Sequence, residues 1–291
     1  MASPEIIGLI RFSFIGEETG GTASFAKTFN SLDEKRQFIY DKERLNRRID
    51  IFEAITLPSL IKQVDQNFRF LLLVGLDFPI WALDRLNSLI KGSCVSICKK
   101  PFMPIKQAIE ECFDEHFSAD CTMKITMRLD DDDAISLGWI AHLHKTAEMF
   151  DLHKQSIDCF ASYLLDGVAL HNCNPDGDFG IPLVPLRLKS PWSVGPVLFA
   201  KANCKDNIYT HSHGRIMKLY PSFLVPSNER FLRCFHGEND STQAQTKPKI
   251  LAMLKSSLSR ADIEEIANDF VATFGIDIEK AVSIICEEVD A

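Results

Sequence analysis

Residues 123–135 read MKITMRLDDDDAI, and the fold of the whole chain follows from how this stretch is read. Ile125, Thr126, Met127 and Leu129 form a short run, apolar and partly β-branched, that stops at four consecutive aspartates, Asp130 to Asp133. Ser136 and an amphipathic run over 137–150 follow, so the context is strand, acidic turn, helix. Four adjacent carboxylates repel one another unless positive charge sits among them. A divalent cation is the expected neutraliser: hard cations take oxygen ligands, and open α/β sheets bind ligands at the carboxyl ends of their strands. The duller reading is a solvated acidic loop.

Upstream of the aspartates the chain alternates strand and helix. Ile6–Phe14 (IIGLIRFSF) reads as a buried first strand, with Arg11 inside it; a charge there calls for an anionic partner, structural or bound. Phe70–Leu76 (FLLLVGL) is a continuous apolar run, as in a strand buried on both faces, closed by Asp77 and Pro79. Trp81–Ile90 reads as a short helix, Cys94–Cys98 as a third strand, and Pro104–Phe117 as a helix with proline at its start. The order β-α-β-α-β-α-β predicts an α/β fold with a mostly parallel sheet flanked by helices.

Glu43–Asn67 is the clearest helix, with Leu45, Ile49, Phe52, Ile55, Leu57, Leu60 and Ile61 at three-to-four spacing. Pro58 is expected to kink or break it after Leu57. Arg44, Arg47 and Arg48 crowd its first turn, which the helix dipole disfavours. Either an anionic group lies nearby or this is an exposed basic face. Glu17–Lys42, with Gly20 and Gly21 and little periodicity, reads as a long surface excursion.

Beyond the helix expected over Ser136–Asp151 the rhythm becomes mixed. Ile157–Leu165 and Trp192–Ala200 read as strands, and His171–Ile181 carries the turn signal Pro-Asp-Gly-Asp. His211 and His213 lie two apart in THSHGR, residues 210–215. Ser227–Phe235 leads into HGEND, residues 236–240, and a helical tail over 249–288 is broken near Gly275 and ends acidic.

Composition narrows the functional classes. A chain of 291 residues with 46% hydrophobic and 25% charged residues is an ordinary globular one, large enough for one α/β domain with an appendage. The expected division is a domain over 1–245, with halves 1–135 and 136–245, and a helical extension over 246–291. A net charge of −8 argues against a nucleic-acid binder, which needs a basic footprint. The nine cysteines are odd in number and lack a CxxC pair; no compact His/Cys cluster in the sequence completes a zinc site, so reduced, mostly buried thiols are expected. The start lacks the features of a signal peptide and no run approaches the ~18 apolar residues of a membrane span, so the expectation is a soluble, cytoplasmic protein.

An α/β half whose fourth strand ends in D-x-D, followed by a more irregular half, resembles a GT-A type glycosyltransferase. Three stretches resemble the putative rhamnosyltransferase family in particular: RLNRRIDIFEAITLPSLIKQ (44–63), MRLDDDDAI (127–135) and RCFHGEND (233–240). The resemblance implies a nucleotide-sugar donor, a saccharide or other hydroxyl acceptor, and a divalent metal, Mn2+ or Mg2+, bridging the donor's diphosphate. It implies rhamnosyl transfer in bacterial surface-polysaccharide synthesis. Asp130, Asp132 and His236 are the implied metal ligands, with Asp133 as a cap for the next helix. Arg11, Arg128, Arg48 and Asp77 are candidate donor contacts. An inverting transfer needs a proton acceptor for the acceptor hydroxyl; the GT-A enzymes this chain resembles place an acidic pair at about the position of THSHGR here, making His213 the candidate and His211 the second, with Asp166 and Asp240 as alternatives.

Two other readings compete. A strand followed by D-x-D also opens haloacid-dehalogenase-like phosphohydrolases, here as Asp131-x-Asp133 with Asp131 the nucleophile, but near residue 130 rather than at the domain start. The other is a degenerate sugar-nucleotide fold serving as a binding or scaffold module, against which Asp130, Asp132 and His236 are all intact. An isoprenoid synthase would need D-D-x-x-D on a helix of an all-α fold, and Ala134 and the preceding strands speak against it.

Overall fold

The apolar runs of the first half become adjacent parallel strands because each needs both faces covered. In the computed structural model, which describes residues 3–18, 28–150, 156–171, 183–187, 193–223, 229–236 and 268–286, β1 (Pro4–Arg11) lies between β2 (Arg69–Gly75) and β4 (Met123–Arg128), and β3 (Val95–Lys100) pairs outside β2. All three pairings are parallel, with Ile7 opposite Arg69 and Thr126 opposite Ile7 on the two sides of β1. The sheet continues beyond β4 through β9 (Val197–Lys201), β6 (Cys159–Ser162) and β10 (Ser222–Phe223). Only the β4–β9 and β9–β6 pairings are antiparallel, so the seven-stranded sheet is mostly parallel, as the alternation predicts.

A second, four-stranded sheet has the order β5 (Ala134–Ile135), β11 (Phe231–Phe235), β7 (Asp166–His171), β8 (Leu183–Arg187). The chain passes from β4 of the large sheet to β5 of the small one through Leu129 and the four aspartates alone. The acidic turn is therefore the link between the two sheets.

The 43–67 helix forms in three pieces: α2 (Lys42–Ile51), a π turn (Phe52–Thr56) and α3 (Leu57–Ile61). Pro58 does not break it. The amide of Leu57 bonds to the Phe52 carbonyl, widening the turn just ahead of a residue that has no N–H and whose ring would crowd the carbonyl four residues back. Leu45, Ile49, Phe52, Leu57 and Leu60 join the core under the large sheet, whereas Ile51, Ala54 and Ile55 face a second core under the small one. Ile61, expected inside, is 43% exposed. The second core is closed by residues 268–274, which are helical, and by a helix over Ile278–Cys286 that adds Ala281 and Ile285. Gly275 lies between them at φ +69°, the left-handed geometry that stops the first of these helices.

The Glu17–Lys42 excursion is not wholly irregular. Leu32–Ile39 forms α1, started by Ser31, whose hydroxyl accepts from the Glu34 amide. Three further helices match their expected positions, α4 (Ile80–Ile90), α5 (Ile105–His116) and α6 (Trp139–Met149), and a short α7 (Ile216–Leu219) was not anticipated. The turn-rich 172–181, Asp240 with the rest of 237–240, and the tail before 268 lie outside the described residues. No helix among the described residues is long and apolar enough to cross a membrane.

Candidate active site at the acidic turn

Strand order places the site. From β1 the chain runs outward through β2 and β3, then returns to the opposite side of β1 as β4. Open α/β sheets bind ligands at the carboxyl ends flanking such a reversal. Arg11 ends β1 there, and Arg128 followed by Asp130–Asp133 ends β4.

Each aspartate has a cationic or imidazole partner brought from elsewhere in the chain. Arg48, on α2, clasps Asp131 with two donors, Nε at 2.9 Å and a second, shorter contact from Nη2. Arg233, on β11, donates from Nη1 to Asp133 Oδ2 at 2.5 Å and to Asp130 Oδ2 at 3.1 Å. The amide of Cys234 donates to the other Asp133 oxygen at 3.1 Å. His236 Nε2 meets Asp132 Oδ2 at 3.0 Å. Asp130 also accepts from Ser193 Oγ at 2.9 Å and faces Arg128 Nη2 at 3.5 Å.

Burial separates the four. The Asp130 side chain is 28% exposed, against 9% for Asp132, 4% for Asp131 and none for Asp133. Asp130 is thus the open face of the turn, and Asp131 and Asp133 are its buried anchors. Contrary to expectation, Asp133 does not cap α6: β5 intervenes, and its carboxylate is turned to β11 instead. Burial pushes the Asp130 carboxyl upward, but Arg128, Arg233 and Arg11 outweigh it and hold it well below the usual range. Asp132 also ends low, because the His236 bond and Arg233 overcome its burial. Asp133 goes the other way, raised by full burial and by Asp132 and Asp130 despite Arg233. Neighbouring acids driven apart in this way are a mark of functional sites.

The histidine segment reaches the same place. Asn207 organises a turn, its side chain accepting from the Tyr209 amide at 2.8 Å, and the Ile208 amide bonds to Thr126 Oγ1 on β4 at 2.9 Å. Tyr209 donates to the Leu9 carbonyl at 2.6 Å while Arg128 lies over its ring at 5.3 Å. His213 follows, close enough that Arg128, Asp130 and Arg233 all act on it. Burial first, then the arginines, bring its pKa down to about 4, which leaves the imidazole neutral at pH 7. His211 instead packs against Tyr220, with ring centroids 5.6 Å apart.

Carboxylate oxygens of Asp130, Asp132 and Asp133 lie within 4.8 Å of one another. This hard, oxygen-rich set with an imidazole beside it fits a divalent cation such as Mg2+ or Mn2+. Part of the charge such an ion would balance is already balanced by Arg233.

A family described as "Putative rhamnosyl transferase" matches residues 5–248. The chain belongs to that family. It is a glycosyltransferase. No match was found among curated proteins. Among solved structures, a putative nucleotide-diphospho-sugar transferase from Desulfovibrio desulfuricans G20 is 9% identical, with 83% of this chain and 84% of that one covered and a TM-score of 0.37. HddC from Yersinia pseudotuberculosis, in complex with GMP-PN, is 13% identical over 80% and 93%, with a TM-score of 0.31. Mouse xyloside xylosyltransferase 1 is 9% identical over 69% and 67%, at 0.28. At such scores the architecture rests on the strand order above, not on these likenesses.

In this rhamnosyl transferase family member, the structure brings together Arg11, Arg128, Asp130, Asp132, His213 and His236. It does not bring Asp77 or Arg48 to the open face. Asp77, after β2, accepts from Arg36 Nε at 2.8 Å and Tyr40 at 3.1 Å, and Arg48 is buried against Asp131. Asp166 pairs with Arg187 at 3.2 Å in the small sheet. Asp131, the nucleophile of the phosphohydrolase reading, is 3% exposed with both oxygens engaged by Arg48. Arg233, Ser193 and Tyr209 are the residues that sequence reasoning missed. Arg233 carried a signal: it interrupts the apolar run FLRCF, the same anomaly that flags Arg11.

Proposed function

We propose that this chain moves a sugar from a nucleotide-sugar donor to a hydroxyl of a saccharide or other acceptor, with the donor's diphosphate at the carboxyl ends of β1 and β4. The observation that carries this reading is Asp130, the most exposed of the four aspartates and kept ionised, with three arginines and a neutral histidine around it. Arg11 and Arg128 are the phosphate-facing cations, fixed in place before the donor arrives, so charge building on the leaving diphosphate is met without reorganisation. His213 accepts the acceptor's proton as that oxygen bonds the anomeric carbon and the bond to the diphosphate oxygen breaks, its electron pair leaving with the diphosphate. Asp130, Asp132 and His236 would hold a divalent cation, which supplies Lewis-acid stabilisation of the diphosphate. The family's name supports a rhamnosyl group as the sugar.

The test is thermal denaturation of the full chain with nucleoside diphosphates and nucleotide-sugars, each with and without Mn2+ or Mg2+. A nucleotide in hundredfold excess over its Kd stabilises the chain by ~2.7 kcal/mol. Metal-dependent stabilisation by one nucleotide, lost in Asp132→Asn, is the expected result. Stabilisation by phosphate mimics alone would replace this reading with a phosphohydrolase, and none by any ligand would replace it with a scaffold.

A further inference from the structure

Cysteines far apart in sequence meet at the opposite margin of the His213 segment. Cys159 opens β6, and Cys204 lies in the turn after β9, where its amide bonds to the Lys201 carbonyl at 2.9 Å. The two thiol sulfurs and a carboxylate oxygen of Asp206 lie within 4.8 Å of one another. All three residues are partly exposed, so an ion could reach them. No compact cluster is visible in the sequence because 45 positions separate the cysteines in the chain, and antiparallel pairing of β6 with β9 removes that separation.

A second observation at this place is independent of the first. Tyr220 is buried, and its hydroxyl has no hydrogen-bond partner among the described residues. A buried hydroxyl without a partner is costly, and a water or ligand held at this place would satisfy it. The groups around that hydroxyl are these same three. Burial is the main cause that raises its pKa, followed by the Asp206 carboxylate, Cys159 and Cys204, although Asp206 does not reach hydrogen-bond geometry with it. The crowding also acts on Cys159, whose thiol is pushed up to about 12 by burial and by Cys204 and Asp206. Two thiols and a carboxylate gathered within 4.8 Å of one another are a donor set that one dication can join.

We propose that Cys159, Cys204 and Asp206 form a zinc site, separate from the acidic turn, with its fourth position held by a water that the Tyr220 hydroxyl meets. Two thiolates select Zn2+ over Mg2+ or Mn2+, which prefer all-oxygen sets. Sulfurs bound at ~2.3 Å in a tetrahedron stand about 3.8 Å apart, so the present spacing needs to close by no more than about 1 Å. Binding releases the two thiol protons to solvent. The ion would tie β6 to the turn over 202–206, directly before the Asn207 turn that aims His213. Its role is therefore structural, bracing the base segment from behind, and it does not depend on which sugar is transferred.

The experiment is metal analysis of the purified full chain together with Co2+ titration after chelator treatment. One zinc per chain and a thiolate-to-cobalt charge-transfer band are expected. Cys204→Ser and Asp206→Asn should each weaken Co2+ binding by at least the ~10–100-fold that losing an outer-shell partner costs. Asp132→Asn, at the acidic turn, should leave the band unchanged. Circular dichroism of Cys204→Ser and Asp206→Asn separates lost ligation from lost folding. Absence of the band in the wild type, or an undiminished band in a folded Cys204→Ser, overturns the site. A Cys159–Cys204 disulfide found by peptide mapping of protein purified without reductant also overturns it, making the pair a redox couple instead.

Discussion

The two sheets of this molecule are built on different principles. In the large one, β1, β2 and β4 are neighbours because long apolar strands must be covered on both faces, and the ion pair between β1 and β2, Glu5 with Arg69, lies at their partly exposed starts. In the small one, a two-residue strand, Ala134–Ile135, is paired with Phe231–Phe235 from almost a hundred residues later. Two residues of backbone pairing hold little by themselves, and the join is made by charge: Arg233 to Asp133 and Asp130, Cys234 N–H to Asp133, His236 to Asp132. The large sheet gives rigidity, and the electrostatic seam against the small sheet creates the site. A seam of that kind is also where single substitutions should cost most.

Arg233→Ala attacks the seam most directly, leaving Asp133 fully buried beside Asp130 without its cation. A buried pair broken on one side costs about 3–5 kcal/mol, to be read from the urea midpoint. Arg48→Ala is expected within the same range but below Arg233→Ala, since Arg233 bonds to two of the aspartates, Asp133 and Asp130. Equal stability of wild type and Arg233→Ala would mean that the small sheet stands without the seam. Next in size is His213→Ala, which should keep donor-dependent stabilisation and lower transfer ~10²–10⁴-fold.

The pH dependence of transfer sharpens the same point. With its pKa lowered to about 4 by burial and by Arg128 and Arg233, His213 remains neutral well below its ordinary 6.5. Transfer should hold down through pH 5 and fall with a midpoint near about 4. The linkage has a definite sign: between 6.5 and about 4 the unfolded chain binds a proton that the folded chain refuses, so this residue's part of the stability declines as pH falls through that window. His213→Gln should remove that slope. Away from the seam the effects shrink. Ser31→Ala, which removes the α1 cap, should cost ~1 kcal/mol. Arg85→Ala, whose partners Asp50 and Glu53 are solvent-facing, should cost less than about 1 kcal/mol by the same denaturation assay.

Much of the large sheet was legible because its strands are continuous apolar runs and its helices have clean periods. The small sheet was not. β5 is too short to carry a pattern, and β8 lies beside a stretch whose turn chemistry dominates the reading. The 43–67 helix was recognisable, but not its π turn, since Pro58 alone does not say whether a helix breaks or widens. Asp130–Asp133 stand out in the sequence as an acidic turn, but the arginines that partner them come from distant elements and carry no local signal of that pairing.

The sequence by itself determined that this protein has a mostly parallel sheet whose fourth strand ends in an acidic turn, because strand length, apolarity and helix period are local properties of the chain. Only the tertiary structure decided which of four identical aspartates is open, which cation each one meets, and that Cys159, Cys204 and Asp206 share a corner. Partner choice depends on distance in space, and residues 48, 128, 193, 213 and 233 converge on one turn only after both sheets have formed.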